Sequence, residues 1–130
     1  KIYEDLVDFA RQAGALSPTT RHRLAEHGIE FEVGRLLAYK VAWMQSQGLV
    51  PNAEASISKL FGTELQQRVA RTGLQLLGLP GALKPGSQWA ALQGRLERYY
   101  LSTASLTVAA GTSEIMRNII AGRGLGLPRG

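Results

Sequence analysis

Apolar residues recur along this chain at three- and four-residue steps, a spacing that puts them on one face of an α-helix. Ile2, Leu6 and Phe9 open the pattern, and Gly14 followed by Ser17-Pro18 interrupts it, so the first helix ends there. Lys1 to Phe9 already reads as mid-helix, and the natural chain is expected to start further upstream. Ser17 suits an N-cap because its hydroxyl can accept from a free backbone N–H, and Pro18 suits the first helical position, where no N–H is needed. The second helix then runs to Gly48, with Ile29, Val33, Leu36, Leu37, Val41 and Met44 along one side and Arg23, Glu26, Glu30 and Lys40 on the wet side.

Pro51-Asn52 opens a third helix in which Ile57, Phe61, Leu65, Val69, Thr72 and Leu76 share a face, and Gly78 is its predicted stop. Leu79 to Gly86 holds two prolines and two glycines and reads as a loop. A fourth helix carries Trp89, Leu92, Leu96, Tyr99 and Tyr100. Its continuation, Ser102 to Val108, is rich in Ser, Thr and Val, which predicts fraying or a break before Gly111. The last helix is short. Thr112 or Ser113 caps it, Glu114 lies in its first turn, Ile115, Ile119 and Ile120 form its apolar side, and Gly122 to Gly126 ends it. No strand pattern or internal repeat competes, and short connections imply antiparallel neighbours. The expectation is an all-α, antiparallel up-down four-helix bundle with a short extra C-terminal helix, as one domain over residues 1–130.

Composition narrows the chemistry. The chain has no cysteine, which removes disulfides and thiolate metal sites and fits a cytoplasmic protein. The net charge of +5 would suit nucleic acid, but Lys and Arg are scattered rather than gathered into a run, so no nucleic-acid partner is expected. No apolar stretch approaches the roughly 20 residues that span a bilayer, and no membrane association is expected. Metalloprotease, P-loop and nucleophile-elbow motifs are absent. His22 and His27 stand five apart, which puts them on different helix faces rather than at the i, i+4 spacing of a metal pair, so they read as surface or interface histidines. Trp43, Trp89, Tyr99 and Tyr100 read as packing residues, and Glu26, Glu30 and Glu32 as solvated carboxylates. A helical domain alone specifies no activity.

The last twenty residues are more specific. Gly111-Thr112-Ser113-Glu114-Ile115-Met116-Arg117-Asn118-Ile119-Ile120-Ala121-Gly122-Arg123, followed by Leu125-Gly126-Leu127-Pro128-Arg129, closely resembles the C-terminal signature of acyl-CoA dehydrogenases. Glu54-Ala55-Ser56-Ile57-Ser58-Lys59-Leu60 resembles that family's helix around its conserved Lys, and Gln75-Leu76-Leu77-Gly78 its Gln-Ile-Leu-Gly turn. Ser17-Pro18 to Leu24 is similar to a bacterial branch. The resemblance implies the C-terminal helical domain of an enzyme that also has an N-terminal helical and a middle β domain. It implies FAD as cofactor, an acyl-CoA thioester as substrate oxidised between Cα and Cβ, electron-transfer flavoprotein as acceptor, and a homo- or hetero-oligomer, dimer or tetramer.

Carried over position by position, the resemblance gives Thr112 and Glu114 a contact with the subunit's own FAD and Gly111 a contact with substrate. Gln75 and Gly78 would reach the FAD of a neighbouring subunit, although Leu79-Pro80-Gly81 replaces the family's Gly-x-Gly. Arg11 stands where an Arg-x-x-Phe-Gly segment would bind the flavin's pyrophosphate across the dimer interface, but Ala13-Gly14-Ala15 replaces the rest. The largest departure is Ala110, which occupies the position of the catalytic Glu of many members. Some relatives place that base on the helix entering this domain, at a point before Lys1. The alternatives are a carboxylate upstream or a non-catalytic subunit whose partner performs the chemistry.

Overall fold

The computed structural model describes residues 1–14 and 16–128. Five α-helices account for most of them: α1 Ile2–Gln12, α2 Pro18–Ser46, α3 Asn52–Leu77, α4 Arg95–Leu106 and α5 Ser113–Ile119. A π-helical turn over Ile120–Gly124 follows α5 directly, and no strand occurs among the described residues. The all-helical class read from the periodicity therefore holds.

Helix ends follow their local chemistry. Ser17 accepts from the Thr20 N–H at 3.1 Å with Pro18 next to it, as the sequence predicts. α3 stops at Gly78, whose φ of 60° and ψ of −144° belong to a backbone region in practice reserved for glycine. The Ser/Thr-rich end of α4 stays helical as far as Leu106, and its hydroxyls bond back to carbonyls three residues earlier: Ser102 to Tyr99, Thr103 to Tyr100, Ser105 to Ser102. The expected break before Gly111 is present, since the chain leaves the helix after Leu106.

The start of the fourth helix is corrected. It begins at Arg95, after Leu92 and Gln93 adopt left-handed conformations, so neither Leu92 nor Trp89 is on it. The cause is Gly94, where an added Cβ would lie 2.3 Å from the Pro85 nitrogen. That contact folds the 83–93 segment against the helix start, and Trp89 is left 72% exposed rather than packed.

α3 is the hub. Its partners α2, α4, α5 and the π turn all pack on it, and α1 touches it as well. The α2–α3 pair is antiparallel: Arg23 meets Gln75, His27 meets Thr72, Glu30 meets Arg68 and Gly34 meets Phe61, an ordered run in opposite directions. The core gathers Leu6 and Ala10 of α1, Leu24 of α2, Leu65, Val69 and Leu77 of α3, and Leu96 of α4. Gly73 lets three helices close here, since a Cβ on it would stand 2.9 Å from Leu96 and 3.0 Å from Leu6.

α2 departs most from its expected facing. Leu37, Val41 and Met44 are half-buried, but Ile29 and Leu36 are 68% and 62% exposed, and Trp43 is 60% exposed. The helix is apolar on two sides, so a single stripe does not describe it. His27 also departs. It is buried, with Nδ1 2.8 Å from Glu30 and Nε2 2.8 Å from the Thr72 hydroxyl, whereas His22 is exposed. Glu30 is correspondingly no solvated carboxylate, because Arg68 donates to its other oxygen at 2.6 Å.

Candidate functional site

Two places along α3 collect the residues that the sequence singles out, apart from Arg11. The first is the turn between α4 and α5. Ala110 and Gly111 both take positive φ, 56° and 107°. The left-handed region costs a non-glycine residue roughly 1–2 kcal/mol, so Ala110 is held there by its surroundings. Gly111 is favoured here by its φ of 107°, and a Cβ on it would also require the Met116 Cε, 2.5 Å away, to move.

Three contacts define the turn. The Ser113 N–H donates to the Thr107 carbonyl at 3.1 Å, closing it. Lys59 reaches across from α3 and donates to the Gly111 carbonyl. Thr112 is the N-cap of α5, accepting from the Ile115 N–H at 3.3 Å, which decides between the two capping candidates. Ser113 is buried behind it.

Glu114 is the exposed member. Its own backbone N–H, then the Thr112 hydroxyl, hold its carboxyl below the usual carboxylate value, and Arg117 adds to the effect. It is therefore ionised at neutral pH and accepts hydrogen bonds only. Arg117 in turn donates to Glu64 of α3, so the segment from Gly111 to Arg117 is tied to α3 at two points.

Two clefts flank this turn. One of about 340 Å³ is lined by Gln67, Arg71, Ser113, Glu114 and Arg117 among others. The second, of about 440 Å³, opens beside Ala110 and is lined by Gln45, Asn52, Lys59, Met116 and Arg123 among others, with no carboxylate among the described residues. Ala110 thus offers a methyl group in a cleft that carries two cations.

The second place is the C-terminal end of α3. Gln75 is exposed, and its carboxamide oxygen accepts from Arg23 of α2, leaving the amide NH₂ free to donate outward. Three residues later Gly78 presents bare backbone, with nothing within 4 Å of where a Cβ would be. Arg11 is exposed in the last turn of α1, and among the described residues no hydrogen bond joins it to Gln75 or Gly78. Lys59 and Gln75 are 16 positions apart on α3, about 24 Å of helix axis. The structure thus groups Ala110, Gly111, Thr112 and Glu114 at one place and Gln75 with Gly78 at another.

Sequence reasoning did not assign Arg23 to Gln75, nor Lys59 to Gly111. Both pairs join residues 52 positions apart, and no local spacing announces such a meeting. The only signal for Lys59 was its place in a stretch resembling the family.

A family model described as acyl-CoA dehydrogenase, C-terminal domain, matches residues 1–125. This chain belongs to that family. Acyl-CoA dehydrogenase FadE26 of Mycobacterium tuberculosis is 39% identical over 110 residues, covering 82% of this chain and 27% of that protein. Among solved structures, the Tcur3481-Tcur3483 steroid ACAD superposes with a TM-score of 0.92 at 34% identity, covering 98% of this chain and 34% of that one. The ChsE4-ChsE5 complex from Mycobacterium tuberculosis gives 0.87 at 34% identity, covering 99% of this chain and 34% of that one. The chain therefore spans only 27–34% of the length of these relatives. No helix among the described residues is long and apolar enough to cross a membrane.

The groups present suit FAD. Exposed donors on Gln75 fit acceptor-rich phosphate and flavin oxygens, Glu114 accepts from hydroxyl or amino groups, and Gly78 leaves its outer face clear for close approach.

Proposed function

We propose that this chain is the C-terminal helical domain of a flavin-dependent acyl-CoA dehydrogenase, in which it helps to bind FAD and acyl-CoA and builds the oligomer. The N-terminal helical and middle β domains belong to the same proposal, as does closure of these helices into an up-down bundle. The observation that carries it is the Thr112-capped turn, with left-handed Ala110 and Gly111, inside a signature that matches the family.

In the complete enzyme, bound FAD supplies the acceptor for the hydride leaving Cβ. The chain's own residues bind and orient. Thr112 and Glu114 meet the flavin nucleotide of their own subunit, and Gly111 lies beside the thioester. Gln75, Gly78 and Arg11 serve the flavin of a neighbouring subunit. The axial distance of about 24 Å between Lys59 and Gln75 favours this division between two sites. The outward apolar residues of α2 provide contact area for another subunit.

The α-proton goes to a carboxylate, and Ala110 cannot accept it. Among the described residues none of the cleft-lining groups beside Ala110 can serve. The proposal places the base on the helix preceding this domain. The second reading, a non-catalytic subunit paired with a catalytic one, is favoured by the same Ala110 and by the similarity to a two-component complex. A bulky steroid-derived acyl group is the first substrate to try, given the likeness to a steroid acyl-CoA dehydrogenase.

The test is the full-length protein, expressed alone and together with a candidate partner subunit of the same family. A yellow protein whose flavin bleaches with an acyl-CoA, and is reoxidised by electron-transfer flavoprotein, is the expected result. Colourless protein that gains flavin only with its partner supports the second reading. Absence of flavin in both preparations defeats the two together.

A further inference from the structure

The Lys59 contact has no role in the reading above, although it joins α3 to the strained part of the turn. Its ammonium is half-buried and donates to the Gly111 carbonyl, 52 residues away in sequence. Among the described residues it forms no ion pair, and its companions in the cleft are Gln45, Asn52, Ser56 and Arg123, which are neutral or positive. A half-buried charge without a counter-ion is a poor device for stability alone. It is well suited to holding one carbonyl in one direction, because a charge-assisted hydrogen bond is stronger than a neutral one.

That direction matters. Ala110 and Gly111 are consecutive residues of positive φ, and rotation of the peptide after Gly111 would swing Thr112 and with it the start of α5. Met116 packs against the Cα of Gly111, and Lys59 holds its carbonyl. We propose that Lys59 is a positioning residue: by clamping the Gly111 carbonyl it sets the orientation of Thr112 and Glu114 toward the flavin nucleotide. The inference rests on the flavoprotein reading.

The experiment uses the full-length protein with any partner subunit, comparing wild type, Lys59→Met and Lys59→Arg. Lys59→Met keeps the apolar stem and removes the donor. The expected result is an FAD dissociation constant raised about tenfold or more, as loss of a charge-assisted contact implies, with an altered visible flavin spectrum and unchanged oligomeric mass. Lys59→Arg, which keeps a cationic donor, restores most of the affinity and the wild-type spectrum. If Lys59→Met fails to assemble, Lys59→Gln, which retains a shorter neutral donor, is measured in its place with the same expectation. Wild-type affinity and spectrum in the neutral variant, even with a lower unfolding temperature, would show a merely structural lysine and overturn the inference. Wild-type protein that binds no flavin instead defeats the flavoprotein reading itself, so the two failures are distinct.

Discussion

His27 on α2 and Thr72 on α3 share a hydrogen bond of 2.8 Å across the two longest helices. An ionised carboxylate only accepts, so the His27 Nδ1–H donates to Glu30, while Nε2 pairs with the Thr72 hydroxyl. Arg68 completes the group through Glu30.

The pH dependence of stability follows from Glu30. Burial pushes its pKa up, but hydrogen bonds from His27 and Arg68, with their charges, outweigh this and leave it below the ordinary 4.5. The unfolded chain therefore takes up the proton first as pH falls. The stabilising contribution is complete above about pH 4.5 and is lost as pH drops through the lower folded value. Glu30→Gln should be less stable than wild type at pH 7, with the difference shrinking in denaturant titrations toward pH 3. A constant difference across that range would contradict this assignment.

Gly73→Ala tests the three-helix junction. The new methyl would stand 2.9 Å from Leu96 and 3.0 Å from Leu6, both fully buried. Side chains in such a place have little room to yield, and overpacking of this kind costs about 1–3 kcal/mol. Urea unfolding should show that loss. Gly62→Ala is the control, because nothing lies within 4 Å of its Cβ position and alanine is the better helix former.

Much of this architecture is legible in the chain itself. Ser17-Pro18, Gly78 and Thr112 mark helix ends through local hydrogen bonding or backbone freedom, and each marks one here. The start of α4 was not legible, since it depends on Gly94 meeting Pro85, a contact between two turns of a loop. The buried state of His27 was hidden because its partners lie partly on another helix. The outward face of α2 was misjudged for a different reason: apolar residues on two sides of a helix produce no single stripe, and periodicity alone does not say which side meets α3. At the candidate site, the cap and the departure at Ala110 could be read directly. The Lys59 and Arg23 contacts could not, as both arise only when α3 is packed.

The outward face of α2 is predicted to hold subunits together. Ile29, Leu36 and Trp43 are each more than half exposed and lie along one side of a single helix. Leu36→Glu combined with Trp43→Glu places charges where an apolar interface would exclude water. Light scattering of the full-length protein should then report a smaller assembly, while far-ultraviolet circular dichroism stays helical, because neither side chain contributes to the buried core. An unchanged molar mass would remove α2 from the interface.

Thr112 separates capping from ligand contact. Its oxygen accepts from the Ile115 N–H, and its hydroxyl helps to hold the Glu114 carboxyl below the usual carboxylate value. Thr112→Ala loses both, and loss of an N-cap costs about 1 kcal/mol. Thr112→Ser retains the oxygen and the hydroxyl, and Thr112→Asp retains the cap but sets a second carboxylate beside Glu114. If Thr112 serves only its helix, Ser and Asp variants should both behave as wild type in thermal unfolding and in flavin content. If it also meets the flavin nucleotide, the Asp variant should keep its unfolding temperature near wild type and still lose flavin on dialysis, because added negative charge opposes the phosphates. The expected outcome is the second, with Thr112→Ser retaining its flavin.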